Sequence, residues 1–355
     1  MSDLQEILKQ YGVSAPALPF GNGHINNTYL VNSTPRLTLQ RINTNVFRKP
    51  EEVMENIEAV TSFLREKIER MGEDPSRRTL RVVRTLDGSL FYRTPEGDAY
   101  RMYEYVEDTV TPEEAPSPTA FAESARAFGA FQNLLSDFPA ERLHETIPHF
   151  HDTPDRYRQF REALSEDRAH RAGTVQEEID FVLSHEKYAS VITDAIADGT
   201  VPLRVTHNDT KLNNVLLDKT TLKGICVIDL DTVMPGSLLY DFGDALRFGA
   251  STAAEDEQDL SRVHFDPEKF EIFTAAFLGE VGGRLTPRER ELLPMSVLLM
   301  TLECGSRFLA DHLNGDVYFR IHRENQNLDR ARTQFRLVAE IEQCLPQLAE
   351  IVAKY

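Results

Sequence analysis

The chain has 355 residues, 41% of them hydrophobic and 27% charged, enough for one large fold or two lobes and unlike a disordered or membrane-embedded protein. Its formal net charge of −18 disfavours polyanionic partners, so neither nucleic acid nor an anionic bilayer is expected. Cys226, Cys304 and Cys344 are widely spaced and odd in number, with no C-x-x-C pair, which argues against a disulfide framework or a cysteine-rich zinc site.

The opening MSDLQEILKQYGV lacks the basic start and apolar run of a signal peptide, and no segment approaches the length of a transmembrane helix, so a cytoplasmic protein is expected. A short helix over about Asp3 to Gln10 leads into GNGHINNTYLV and PRLTLQRI, two strands joined by NST-P turn chemistry. Behind Pro50, the positions Val53, Ile57, Val60, Leu64 and Ile68 recur at helical spacing and predict a helix through KPEEVMENIEAVTSFLREKIERM. Strands follow at TLRVVRT, SLFYRT and AYRMYEYV, separated by DG and EGD turns.

From Pro116 onward the pattern turns helical. Ser117 before Pro118 reads as the cap of a helix through TAFAESARAFGAFQNLLSDF. Further helical patterns fall around Tyr157 to Leu164, Glu177 to Leu183, Pro267 to Phe277 and Pro294 to Leu313. Short β-rich runs return only near VTHNDTKLNNVLLD and LKGICVIDLD. The expected fold is α+β with two lobes: a small β-rich lobe over 1–102, a hinge over 103–107 and a larger, mostly helical lobe over 108–355.

Chemistry concentrates in VTHNDTKLNNVLLD. His207, Asp209 and Asn214 fit H-x-D-x-x-x-x-N, and Asp229 ends the apolar run ICVID fifteen residues after Asn214. In kinase-like phosphoryl transfer one aspartate accepts the proton of the attacking hydroxyl, while an asparagine and a second aspartate hold magnesium on the nucleotide phosphates. The spacing supplies all three groups, and Lys211, two residues past Asp209, is placed to meet the transferring phosphate. Taken alone, the motif also fits a polar loop that satisfies its own backbone. No A-P-E segment follows Asp229, which argues against a protein kinase.

These stretches, with GNGHINNTYL, HFHDTPDRY, VIDLDTVMPGSLLYDFGDALRFGAS and LECGSRFLAD, resemble the aminoglycoside phosphotransferase and choline kinase superfamily, and within it bacterial N-acetylhexosamine 1-kinases. The resemblance spans nearly the whole chain. It implies a protein-kinase-like fold, ATP as co-substrate, Mg2+, and transfer to the anomeric hydroxyl of N-acetylglucosamine or N-acetylgalactosamine. Asp209 becomes the base, Lys211 a neighbour of the γ-phosphate, and Asn214 and Asp229 the metal ligands. His207 braces the loop, and Asp241 in YDFGD holds it from a neighbouring helix. Asp231 and Asp244 stay open between metal support and solvated acids.

On the nucleotide side the resemblance points to Tyr103, Glu104 and Tyr105 at the hinge and to His24, with Asn26, for phosphate or sugar. One departure matters: the strand lysine that usually holds the α- and β-phosphates is Gln40 here, and Arg41 alternates to the other face. The roles of Glu55 and Glu58 on the next helix stay open. For the acceptor the resemblance implies Arg307, Tyr318 and Phe248, alongside His24 and Asp209. Glu303, Arg307 and Asp311 share a helix face, which also fits an internal salt-bridge ladder.

His149 and His151 in HFHD lack a third zinc ligand and read as packing or hydrogen-bonding groups. The acidic run Glu255 to Asp259 reads as a solvated face, and it is the feature that would favour a polycationic aminoglycoside or choline-like acceptor. A nucleotide-binding pseudokinase is the alternative of another class. Gln40 speaks for it, and the presence of Asp209, Asn214 and Asp229 against it.

Overall fold

Alternation and helical periodicity in the first hundred residues produce the sheet and long helix they predict. A computed structural model describes residues 4–21, 26–112 and 117–355. Helix α1 (Leu4–Gln10) precedes β1 (Ala17–Pro19), β2 (Asn27–Val31) and β3 (Leu37–Ile42); α2 (Pro50–Arg70), β4 (Val82–Val83), β5 (Tyr92–Arg93) and β6 (Ala99–Glu104) follow. The antiparallel sheet runs β1-β2-β3-β6-β4, with β5 also on β6.

The two faces of this sheet have different work. Leu37, Leu39, Tyr100 and Met102 pack with Val31 under Ile7 and Leu8 of α1 as a small separate core. Ile42, Ala99 and Tyr103 point the other way and join the main core. Alternation puts Gln40 and Arg101 on that second face, directly opposite each other in register. Arg41 turns outward to Asp98 at 2.6 Å, as alternation predicts.

Helix α2 starts at Pro50 with Glu51 and Glu52 in its first turn and ends with Lys67 and Arg70, each favourable to the helix dipole. Its five predicted apolar positions are at most 3% exposed. TLRVVRT and SLFYRT, expected as full strands, keep two residues each. The hairpin turns take the rest: Thr85 N–H donates to Ser89 O and Thr94 N–H to Asp98 O, around Gly88 and Gly97 at positive φ.

Beyond β6 come β7 (Thr109–Val110), α3 (Pro118–Leu134), α4 (Thr153–Glu166), α5 (Gln176–His185), α6 (Val191–Ala197), β8 (Arg204–Thr206), β9 (Val215–Asp218), β10 (Gly224–Val227) and β11 (Met234–Gly236). Then α7 (Leu238–Gly249), α8 (Pro267–Val281), α9 (Pro287–Asn314) and α10 (Gln326–Val352) complete the lobe. Ser117 caps α3, its Oγ accepting from Ala120 N–H at 3.0 Å. Strands β10, β9 and β7 form one small sheet, β11 and β8 another, and the 207–214 loop runs between β8 and β9.

Helix α9 is the axle of this lobe, packing against α4, α7 and α10. Read from the sequence as starting at Pro294, it begins at Pro287, where Thr286 and Glu289 form a capping box. Contrary to the expectation that no segment reaches membrane-crossing length, α9 is long and apolar enough by composition. Its most apolar window is 83% buried inside the fold, so the apolarity is that of a core helix. Where α7 crosses α9, a Cβ on Gly243 would lie 2.4 Å from Ser296 O, so the close approach requires glycine. Helix α10 has no counterpart in the sequence reading.

Candidate active site

Loop 207–214 is held from beneath by a helix N-terminal turn. Asp241, in the first turn of α7, accepts from the N–H groups of His207 at 2.9 Å and Asn208 at 2.8 Å, and from Gln132 Nε2 at 2.6 Å. Burial pushes its carboxyl up, against these donors and the nearby His207. Thr210 Oγ1 donates to Asp241 O at 2.7 Å, and Thr210 N–H to Asp244 Oδ2 at 3.1 Å. His207, fully buried against Phe128 and Phe131, donates from Nε2 to Ile228 O at 2.8 Å. That leaves Nδ1 to accept from Asp209 N–H at 3.3 Å. Both ring nitrogens are thus engaged with backbone, the geometry of a brace.

Asp209, Lys211 and Asn214 come together. Asn214 Nδ2 donates to Asp209 O at 2.8 Å and to Asp209 Oδ2 at 3.2 Å, while Lys211 Nζ lies 3.0 Å from Asp209 Oδ1. Burial works against the ammonium, but Asp209 outweighs it and holds Lys211 above the usual lysine range; the side chain keeps 45% exposure, within reach of a ligand.

Asp229 sits at φ 58°, ψ 56°, just beyond β10, and its carboxylate makes no hydrogen bond or ion pair with any described residue. Desolvation, then Asp231, then Asp209 push it up to about 7. Surplus negative charge with an unpartnered hard-oxygen donor suits a divalent cation. Among the described residues no three His, Cys, Asp or Glu side chains enclose a metal. Magnesium needs no such cage, since it takes one or two carboxylates and completes its shell with water and substrate phosphates.

On the small-lobe side Gln40 is fully engaged: Nε2 donates to Thr28 Oγ1 and Oε1 accepts from Arg101 Nε, both at 3.0 Å. Arg101, 1% exposed, is ion-paired to Asp231. Asn26 joins them, donating from Nδ2 to Asp231 Oδ2 at 2.6 Å and accepting Asn43 N–H on Oδ1 at 3.0 Å. Asp231 is therefore a buried acid joining the two lobes, not a solvated one. Glu55 and Glu58 turn to the surface, to His144 and Arg84. His24 lies outside the described residues. Arg101 was missed in the sequence; the available signal was a charge between Ala99 and Tyr103 on the inward face of a strand.

At the expected hinge, Tyr103 is buried, and the N–H groups of Glu104 and Tyr105 are spent on the carbonyls of Arg81 and Arg36, both at 3.0 Å.

The acceptor candidates Arg307 and Tyr318 are brought together. The Arg307 guanidinium lies 5.6 Å from the rings of Phe150 and Phe319 and 6.0 Å from Tyr318. Phe248, 48% exposed near the end of α7, makes no ring contact with this cluster among the described residues. The salt-bridge ladder is not formed. Glu303 instead takes His151 Nδ1 at 2.8 Å and Thr153 Oγ1 at 2.6 Å. Asp311 takes the N–H groups of Val317, Tyr318 and Phe319 at 2.8–3.0 Å. His151 Nε2 also reaches Asn208 O at 3.4 Å, linking α9 through Glu303 to loop 207–214. The acidic run is largely spoken for: Glu255 pairs with Arg247, Asp256 with Arg323, and Glu257 with Arg262.

A small sheet with one long helix, set on a larger helical lobe with a polar loop at the junction, is the protein-kinase-like arrangement of small-molecule phosphotransferases. The chain belongs to the phosphotransferase enzyme family (APH), whose model matches residues 16–273. The same fold occurs in the microcompartment-associated aminopropanol kinase, at 18% identity over 98% of both chains with a TM-score of 0.61. It occurs also in an aminoglycoside phosphotransferase from Alicyclobacillus acidocaldarius subsp. acidocaldarius (14% identity, 99% of this chain and 96% of that one, TM-score 0.62). A choline/ethanolamine kinase family protein from Mesorhizobium loti shares it at 16% identity over 99% of both chains, with a TM-score of 0.58.

Proposed function

We propose that this phosphotransferase moves the γ-phosphoryl group of ATP to the anomeric hydroxyl of an N-acetylhexosamine. The observation that carries the reading is the grouping of Asp209, Asn214 and Lys211 within hydrogen-bond distance of one another, on a loop braced by His207 and Asp241. Asp209 accepts the proton of the sugar hydroxyl, and that oxygen attacks the γ-phosphorus as the bond to the β-phosphate oxygen breaks and ADP leaves. Lys211 faces the transferring phosphoryl group. Asn214 and Asp229 would hold magnesium, which when bound offsets phosphate charge. Adenine lies against the hinge, with Tyr103, Glu104 and Tyr105 around it; His24 and Gln40 belong to the same nucleotide side.

The cations around Arg307 support a neutral sugar. Arg307 is close enough to Arg156 to lower its pKa, after burial, and two guanidiniums repel an ammonium but can donate to an amide carbonyl or ring hydroxyls. Tyr318, exposed, supplies apolar surface for a sugar face. Solved relatives named for aminopropanol, aminoglycosides and choline or ethanolamine favour a second reading, an amino-alcohol acceptor. That reading would set an ammonium beside Arg307 and Arg156, which repel it.

A panel of N-acetylglucosamine, N-acetylgalactosamine, glucose, ethanolamine and an aminoglycoside, followed by ADP release, tests the assignment. The two N-acetylhexosamines should give the highest kcat/KM, and Asp209→Asn should lose about 10²- to 10⁴-fold in kcat while binding ATP as before. Preference for an amine, or near-wild-type turnover by Asp209→Asn, would refute it.

A further inference from the structure

We propose that Arg101 supplies, from the small lobe, the cation for the nucleotide phosphates that a strand lysine supplies in the family pattern, with Asp231 as its anchor in the large lobe. The inference rests on reading the cleft as a nucleotide site and on nothing about the acceptor.

Position 40, where the resemblance expects the lysine, is directly opposite position 101 across the β3–β6 ladder. The two side chains share one face and touch, Arg101 Nε donating to Gln40 Oε1 at 3.0 Å. A lysine at 40 would press a second cation against the guanidinium. Glutamine offers it an acceptor and is itself fixed by Thr28 at 3.0 Å. The positive charge has moved one strand across the sheet.

Its counter-ion has moved too. In kinases the strand lysine pairs with a glutamate of the following helix. Here the carboxylates of the first half of α2 turn elsewhere: Glu51 to Arg93, Glu52 to Lys49, Glu55 to His144 and Glu58 to Arg84. Asn56, an inward polar residue of α2, binds backbone of the large lobe. Arg101 pairs instead with Asp231, two residues past Asp229, and Asn26 donates to the same carboxylate.

A buried ion pair seldom stabilises a fold more than apolar side chains of the same volume would. This one, at the place where the sheet and the metal-side aspartates meet, calls for another use. Guanidinium suits it: five N–H donors in a rigid fork, matched to phosphate oxygens. The contacts described engage Nε and Nη1, and Nη2 meets no acceptor among the described residues.

The test is equilibrium titration calorimetry with magnesium and without any sugar, using ATP and adenosine on the wild type, Arg101→Met, Arg101→Lys and the double variant Arg101→Met/Gln40→Lys. Arg101→Met should weaken ATP by about 10- to 100-fold and leave adenosine unchanged, with Arg101→Lys between. The double variant places a cation at position 40 and should recover ATP affinity; it also keeps a charge on the same sheet face should Arg101→Met fail to fold. Unchanged ATP affinity in Arg101→Lys and in the foldable methionine variants, or equal loss of ATP and adenosine, overturns the proposal. A wild type that binds ATP no better than adenosine would overturn the nucleotide reading itself, a distinct outcome.

Discussion

Glu303 shows how a charge survives in the interior of the large lobe. Its side chain is 1% exposed, and burial alone would raise its pKa; His151, by charge and hydrogen bond, and Arg307, one helical turn on, outweigh burial and hold it below the ordinary range. A carboxylate whose folded pKa is depressed contributes stability in full above its unfolded pKa, about 4.3, and loses it as pH falls through the folded value. Urea unfolding of the wild type should therefore show a stability loss on acidification from about pH 5 to pH 3 that Glu303→Gln lacks in part. Parallel profiles for the two proteins would contradict the assignment. At this scale the sequence was most legible where function is local. H-x-D-x-x-x-x-N is one loop between β8 and β9, so spacing alone gathers His207, Asp209 and Asn214. Arg101 and Asp231 meet across 130 residues and two lobes, where no spacing rule reaches.

Among the elements, α9 carries the residues proposed for the acceptor. Glu303, Arg307 and Asp311 project from one face, as their spacing predicts, yet each serves a different partner: His151, the aromatic cluster, and the backbone after the helix. Asp311 gathers three successive N–H groups and the amide of Asn327, fixing the segment that presents Tyr318. Asp311→Ala would strand those donors at a cost of about 1–3 kcal/mol. The expected outcome is a lower Tm and a raised KM for the sugar with ATP affinity unchanged; an unaltered sugar KM would show that the 315–319 turn plays no part in acceptor binding. Periodicity announced α2 and α3 because their stripes are clean. Helix α10 stayed unread: its buried Ala331, Phe335, Val338 and Ile341 alternate with arginine, glutamine and glutamate, and Pro346 interrupts the run.

Across the whole molecule, a few polar pins join the lobes. Asn56 of α2 donates to His144 O at 2.8 Å and Val233 O at 2.9 Å and accepts His144 N–H at 2.8 Å. Arg77 spans to Asp218 at 3.0 Å. Asn56→Ala leaves buried backbone groups unpaired, at about 1–3 kcal/mol each. Hydrogen exchange in α2 and in the 144–145 backbone should accelerate while α9 stays protected; a uniform change across both lobes would place the pin's role elsewhere. The two-lobed α+β architecture was legible because composition changes from strand-rich to helical along the chain. How the lobes dock was not, because it depends on single side chains such as Asn56 and Arg101.

The central claim is the position of the transferred phosphate, and phosphorus-coupled proton NMR of the product made from ATP and N-acetylglucosamine reads it directly. Phosphorus coupled to the anomeric proton is expected, with one ADP formed per sugar phosphate. Phosphate on any other hydroxyl, or no sugar phosphate while an amino alcohol is consumed, would contradict it.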